Sequence, residues 1–143
     1  MDDLEAIATR TIDAGFKLHQ SLGPGLLESA YELILCERLR SDGLKVDRQL
    51  AINIVYDGLN IENAFKIDLL IEDRLILELK SLELTLPVHM KQVLTYLRLT
   101  GLSLGFVMNF GCPTFKDGLR RVVNGHSDTF ASSRLRAMQS PSS

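Results

Sequence analysis

Apolar residues recur at helical spacing in three parts of the chain. Within residues 3–20 the pattern predicts an amphipathic helix, and its apolar positions are Leu4, Ile7, Ala8, Ile12, Phe16 and Leu18. The Leu22-Gly23-Pro24-Gly25 stretch then breaks the chain. A third helix is predicted over residues 87–100, because Pro87 suits a first helical turn and Gly101 suits an end.

The second predicted helix lies between these two and runs from Gly25 to Asp42, with Gly43 just past its end. Its spacing assigns four residues to the buried face, namely Ala30, Leu33, Ile34 and Leu39.

Alternating apolar and polar residues predict the strands. Residues 48–56 alternate in this way and end at Asp57-Gly58, a strong turn signal. Residues 103–110 are almost continuously apolar, which is typical of a buried strand, and residues 118–123 predict a further edge strand.

Two more strands are predicted at residues 64–71 and 75–80, joined by the polar tripeptide Glu72-Asp73-Arg74. The resulting order is helix, helix, three strands, helix, strand, which predicts an α/β fold with a mixed sheet flanked by helices. We expect one domain over residues 1–125 and a flexible, Ser-rich tail over residues 126–143.

Length and composition narrow the class of protein. The 143 residues suit one domain, and 45% hydrophobic with 24% charged residues is ordinary for a globular protein. No apolar run approaches the roughly 20 residues that cross a bilayer, and the acidic start does not resemble a targeting leader. Cys36 and Cys112 predict two buried thiols and therefore a cytoplasmic location.

The net charge of −2 argues against a domain that coats nucleic acid non-specifically. It is compatible with an enzyme that meets phosphates through a metal ion, because carboxylates that hold a cation lower the formal charge.

The hairpin brings candidate chemistry together. If Glu72-Asp73-Arg74 forms a three-residue loop, Ile71 lies opposite Leu75 and Asp68 lies opposite Glu78. Lys80 shares the face of Glu78 by strand alternation. Two carboxylates on one apolar face repel each other, and a hard cation such as Mg²⁺ removes that conflict. The alternative is that Lys80 only pairs with Asp68 or Glu78 on a solvated face.

Asp68 followed by Glu78-Leu79-Lys80 after a short hairpin resembles the PD-(D/E)XK nuclease superfamily, the restriction-endonuclease-like fold, with Ile67 at the loose proline position. Gln92 and Tyr96, at i and i+4 on the next helix, resemble the Gln-xxx-Tyr signature of RecB-type exonucleases.

A second motif resembles a narrower group. Gly25, Glu28 and Tyr31 match the motif of the small bacterial GxxExxY family, and the resemblance extends over about residues 10–124. Further matching segments are His19, Leu22-Gly23-Pro24-Gly25, Tyr56-Asp57-Gly58, His89 and Asn109-Phe110-Gly111.

The resemblance implies roles for these residues. Asp68 and Glu78 would bind Mg²⁺ or Mn²⁺, with the Leu79 carbonyl and Glu28 as further ligands. Lys80 would act on the attacking water, and Gln92 and Tyr96 would orient Lys80 and the substrate backbone.

Other interpretations stay open for four residues. Glu28 suits a first helical turn through the helix dipole, and Tyr31 suggests packing rather than chemistry. His19 suggests a polar group on a helix surface, while His89 suits either a phosphate contact or a first-turn surface position.

Two hypotheses from different classes follow. The first is metal-dependent phosphodiester hydrolysis of DNA or RNA by a nuclease. The second is a catalytically silent nuclease-fold module that binds nucleic acid or a protein partner, and a homodimer is also left open. The complete Asp68, Glu78 and Lys80 set favours the first, whereas the net charge favours the second.

Overall fold

One five-stranded sheet with helices on both faces forms the body of the protein. The structure, a computed structural model, describes residues 3–125. In chain order the elements are α1 (Leu4–Leu22), α2 (Glu28–Ser41), β1 (Val46–Tyr56), β2 (Leu59–Ile71), β3 (Leu75–Lys80), α3 (Pro87–Thr100), β4 (Leu104–Asn109), α4 (Phe115–Gly118) and β5 (Leu119–Val123). None of the helices in residues 3–125 has both the length and the apolar character that a membrane crossing requires.

The strands lie in the order β1-β2-β3-β4-β5. β3 and β4 are parallel and are connected through α3, whereas every other neighbouring pair is antiparallel. The predicted α/β architecture, a mixed sheet flanked by helices, is therefore confirmed.

The two faces of the sheet bury separate apolar clusters. Helices α1 and α2 cover one face, where Tyr31, Phe106 and Phe110 are fully or almost fully buried. Helix α3 covers the other face, where Val93 and Leu97 pack on the strands. Because both faces are covered, β3 and β4 are apolar at nearly every position, and a charged residue in them stands out.

The predicted buried face of α2 is wrong at two positions. Leu33 and Ile34 are 48% and 41% exposed, whereas Tyr31 and Leu35 are fully buried. Tyr31 stacks on Phe110 with ring centroids 4.5 Å apart, and this contact fixes the rotation of the helix. Apolar spacing was misleading here because a charged residue of α2, Glu32, is also buried.

Two boundaries differ from the predicted ones by three residues or more. Helix α2 begins at Glu28 rather than Gly25, because Gly25 has a φ of +121° and Leu27 is extended. Strand β2 begins at Leu59 rather than residue 64, since Asp57-Gly58 forms a tight turn with both φ angles positive.

The predicted edge strand is present as β5 and is preceded by α4, which the sequence pattern did not predict. The Thr114 hydroxyl caps α4 by accepting a hydrogen bond from the Asp117 N–H. Residues 126–143, the predicted tail, lie outside the described residues, so that the domain boundary stays a prediction.

The end of β4 approaches its neighbours too closely to admit a side chain at Gly118. A Cβ placed on Gly118 would lie 2.0 Å from the carbonyl oxygen of Asn109, which is backbone and cannot rotate away. Gly118 therefore allows the turn from α4 into β5 to pass directly against β4.

We expect Gly118→Ala to lower the free energy of unfolding by about 1–3 kcal/mol, the usual cost of overpacking. Chemical denaturation monitored by circular dichroism measures this. Gly125→Ala is the matched control, because a Cβ there meets nothing within 4 Å. Equal stability of the two variants would contradict the close approach.

Candidate active site

The β2–β3 ladder ends in the middle of the sheet. Its register is Ile71 opposite Leu75 and Leu69 opposite Leu77, as the three-residue turn predicted. In that turn Glu72 and Asp73 both have positive φ. Beyond Leu69 and Leu77 the two strands are no longer paired, and the next residues on each side are Asp68 and Glu78.

Where the backbone ladder ends, two carboxylates accept the hydrogen bonds that the opposite strand would otherwise have accepted. The backbone N–H of Asp68 donates to Glu78 Oε1 at 3.3 Å, and the backbone N–H of Leu79 donates to Asp68 Oδ2 at 2.9 Å. Each carboxylate thus accepts a hydrogen bond from the opposite strand, which brings the two acids side by side.

Burial makes the charge on these acids costly. Glu78 is only 4% exposed, and burial, followed by the negative charge of Asp68, raises the pKa of Glu78 to about 8. Burial also raises the pKa of Asp68. The hydrogen bonds from the Leu79 N–H and the Gln49 amide and the positive charge of Lys80 lower this pKa, but by less than burial raises it. Both carboxyl groups therefore keep their protons to a higher pH than a free carboxyl group does.

Lys80 lies two residues beyond Glu78 on the same face of β3 and is partly buried. Its positive charge opposes the rise in the pKa of Asp68 and of Glu78 but does not cancel it. Within the range that the structure covers, its ammonium group forms no ion pair at 4.0 Å or less. The simple alternative, a surface pair between Lys80 and an acid, does not describe this arrangement.

Helix α3 faces the carboxylates with a bonded pair of side chains. Gln92 Nε2 donates to the Tyr96 hydroxyl at 2.9 Å, and Tyr96 stacks on Phe65 with centroids 4.2 Å apart. Burial, followed by the negative charge of Glu78, raises the pKa of Tyr96. The hydroxyl of Tyr96 is therefore protonated and lies within electrostatic range of Glu78.

Two further predicted residues stand at the mouth of the site. His89 Nδ1 accepts from the Leu86 N–H at 3.1 Å and so caps α3. Partial burial and then the charge of Lys80 lower the pKa of His89, which keeps the ring neutral at neutral pH. Glu28 is exposed in the first turn of α2. Its negative charge adds to the rise in the pKa of Asp68 and opposes the fall in the pKa of His89.

The backbone carbonyls of β3 point alternately towards β4 and towards the gap beside β2. The Lys80 carbonyl accepts from the Phe110 N–H on the β4 side. Because successive carbonyls of a strand point to opposite neighbours, the Leu79 carbonyl faces the β2 side, beside Asp68 and Glu78. Among residues 3–125 no three His, Cys, Asp or Glu side chains gather as a metal cage. A cation here would be held by two carboxylates and backbone oxygen, which suits Mg²⁺.

The loop after Lys80 is held by Asn109, which pairs with Lys80 across β3 and β4. Asn109 Oδ1 accepts from the Leu82 and Gly111 N–H groups at 2.9 and 3.0 Å, and Nδ2 donates to Thr85 Oγ1 at 3.0 Å. This buried amide fixes the chain between Lys80 and α3.

Two candidate residues lie elsewhere. The sequence suggested a polar group on the helix surface for His19, which is wrong, because His19 is buried and its Nε2 lies 2.9 Å from the Cys112 carbonyl oxygen. Tyr31 packs against Phe110, which agrees with the packing interpretation. Its hydroxyl also donates to the Gly23 carbonyl at 2.5 Å and accepts from Leu26, which ties down the turn before Glu28.

The sequence interpretation missed a polar network beside Asp68. Gln49 Nε2 donates to Asp68 Oδ1 at 3.1 Å and to Glu32 Oε1 at 2.5 Å, and Arg48 pairs with Glu32 at 2.7 Å. The available signal was Glu32, one helical turn after Glu28 on the same face. The positive φ of Gln49 had no sequence signal.

A protein-family model matches most of the chain. The model of the PD-(D/E)XK nuclease superfamily matches residues 5–122, a range that contains both strands of the carboxylate hairpin. No curated protein and no solved structure matches.

The raised pKa of Glu78 predicts a pH-dependent stability. In the unfolded chain the ordinary value of 4.5 applies, so protonated Glu78 favours the folded state. That contribution is full below about pH 4.5 and is lost as the pH rises towards about 8. We expect the wild type, in chelator, to lose stability over this interval relative to Glu78→Gln.

Urea denaturation at several pH values measures this difference. Parallel stability profiles of the wild type and Glu78→Gln would contradict the raised pKa.

Proposed function

The chain belongs to the PD-(D/E)XK nuclease superfamily, and we propose that it hydrolyses phosphodiester bonds of nucleic acid with Mg²⁺ or Mn²⁺. Superfamily membership supports nuclease activity, and such nucleases generally use divalent metals. The observation that carries the proposal is the Asp68–Glu78 pair, a partly buried and a buried carboxylate that each accept a backbone N–H of the opposite strand. A bound cation would offset both the repulsion between these carboxylates and the cost of burying their charge.

Asp68, Glu78 and the Leu79 carbonyl would hold the metal ion. Their oxygen atoms are the ligands that Mg²⁺ and Mn²⁺ prefer. When bound, such an ion supplies Lewis-acid activation of the phosphoryl group and of water. Glu28 is a further carboxylate at the mouth, and its exposed side chain is free to turn towards the site.

Lys80 would act on the reacting atoms themselves. Its ammonium group donates hydrogen bonds and, with no ion pair among the described residues, remains available to the attacking water or to a phosphate oxygen. Such a positioned charge stabilises the negative charge that develops in the transition state.

Gln92 and Tyr96 would orient the substrate backbone. Their hydrogen bond and the stacking of Tyr96 on Phe65 hold both groups at the edge of the site. Gln92 is exposed and can donate to a phosphate oxygen.

The narrower GxxExxY assignment, with the bacterial origin that this family implies, is part of the proposal. Gly25 supplies a φ of +121°, which glycine adopts readily, and the Tyr31 hydroxyl bonds the same turn. Both residues stabilise the turn that precedes Glu28 and so position Glu28 at the mouth of the site. The free, buried thiols of Cys36 and Cys112 support a reducing, cytoplasmic location.

A silent module that binds a nucleic acid or protein partner is the second candidate. The net charge of −2 and the strongly exposed Leu27 and Leu84 near the site favour it. Cleavage assays on single- and double-stranded DNA and RNA, with Mg²⁺ and Mn²⁺, distinguish the two. The absence of cleavage in every combination would favour the module.

The metal proposal predicts that the wild type binds Mn²⁺ and that Glu78→Gln largely abolishes binding. The substitution keeps the size of the side chain but removes its ability to bind a cation as a carboxylate. The fold should survive, because the change relieves repulsion between Asp68 and Glu78. Isothermal titration calorimetry with Mn²⁺ measures this.

Glu62→Gln, an exposed change on β2, is the matched control and should bind Mn²⁺ like the wild type. Unchanged Mn²⁺ affinity in Glu78→Gln would count decisively against a metal held by carboxylates.

The role of Lys80 predicts a separation of binding from catalysis. Lys80→Ala should keep Mn²⁺ affinity and lose cleavage by about 10² to 10³-fold, the usual effect of removing one positioned electrostatic group. Single-turnover cleavage at saturating metal measures the loss.

Lys116→Ala removes an exposed lysine on α4 and should cleave at the wild-type rate. Equal cleavage rates in the wild type and Lys80→Ala would refute this role.

A further inference from the structure

Gln49 has an unusual backbone conformation for a residue inside a strand. Its φ is +52°, although Arg48 and Leu50 on either side pair normally with β2. A non-glycine residue in this region is strained and persists only where its surroundings hold it. Gln49 is exposed, so that burial of its side chain does not account for the conformation.

Hydrogen bonds account for it instead. The Gln49 amide has two N–H donors, and Nε2 lies 2.5 Å from Glu32 Oε1 and 3.1 Å from Asp68 Oδ1. Both partners are carboxylates, which makes these bonds stronger than neutral ones. The amide therefore bridges one acid of α2 and one acid of the candidate active site.

The other end of the bridge is rigid. Glu32 is 4% exposed, and its second oxygen accepts from Arg48 Nε at 2.7 Å. A buried acid with this partner has little freedom to move. A continuous series of polar contacts thus runs from Arg48 through Glu32 and Gln49 to Asp68.

We propose that Gln49 is a positioning residue that fixes the Asp68 carboxylate for metal binding. Asp68 Oδ2 is held by the Leu79 N–H, and Gln49 holds Oδ1, so that both oxygens are anchored and the carboxylate plane cannot rotate. Gln49 would act through Asp68, which its amide contacts, rather than on a metal ion or substrate directly. The inference rests on the proposed function, since it concerns the same site.

Gln49→Gly tests the inference, because glycine adopts a positive φ without strain and lacks the amide. We expect Mn²⁺ affinity to fall by about 10- to 100-fold, the usual loss when a partner of a metal ligand is removed. The midpoint of thermal unfolding should move by no more than about 4 °C. Gln49→Asn should behave alike, because asparagine tolerates this φ but is too short to bridge both acids.

Asn63→Gly is the matched control. Asn63 has the same φ of +52°, is exposed and lies five residues from Asp68 along β2. It should keep the wild-type Mn²⁺ affinity in calorimetric titration. Wild-type affinity in both Gln49 variants would overturn the positioning role and leave the proposed function intact. No Mn²⁺ binding by the wild type would instead overturn the proposed function, and the inference with it.

Discussion

The satisfaction of two backbone N–H groups determines how this site is built. Strands β2 and β3 part after Leu69 and Leu77, and a buried donor without a partner would be costly. The carboxylates of Asp68 and Glu78 meet that demand by bonding across the gap. The two carboxylates therefore stabilise the fold whatever else they do, because they accept these backbone hydrogen bonds. Their position follows from the point at which the two strands separate.

The opened sheet concentrates charge of one sign. Asp68, Glu78, Glu28 and Glu32 approach this region, while Lys80 and Arg48 supply the positive charge that the described contacts identify. Arg48 is already paired with Glu32, and the positive charge of Lys80 favours the ionised form of both inner acids. Burial raises the pKa of both inner acids, so that the folded protein opposes a second negative charge beside the first.

Local patterns in the sequence were sufficient for most of the fold and for the hairpin. Polar Glu72-Asp73-Arg74 between apolar runs determined the register, and that register places Asp68 beside Glu78. The rotation of α2 was mispredicted because Glu32 is buried by its pairing with Arg48, a contact 16 residues away. Gln49 could not be predicted either, since its strained backbone depends on acids from two other elements.

The packing around Asn109 has a consequence for the interpretation of natural variation. Gly111 lies where a Cβ would be 2.4 Å from the Leu82 backbone, and Gly118 is still more crowded against Asn109. The side chain of Asn109 in turn spans the loop that follows Lys80. In a survey of destabilising substitutions, Asn109, Gly111 and Gly118 would rank among the most sensitive positions, although none of them carries a carboxylate of the candidate site. Sensitivity to substitution in this protein therefore marks the scaffold of the loop after Lys80 as strongly as the candidate site itself.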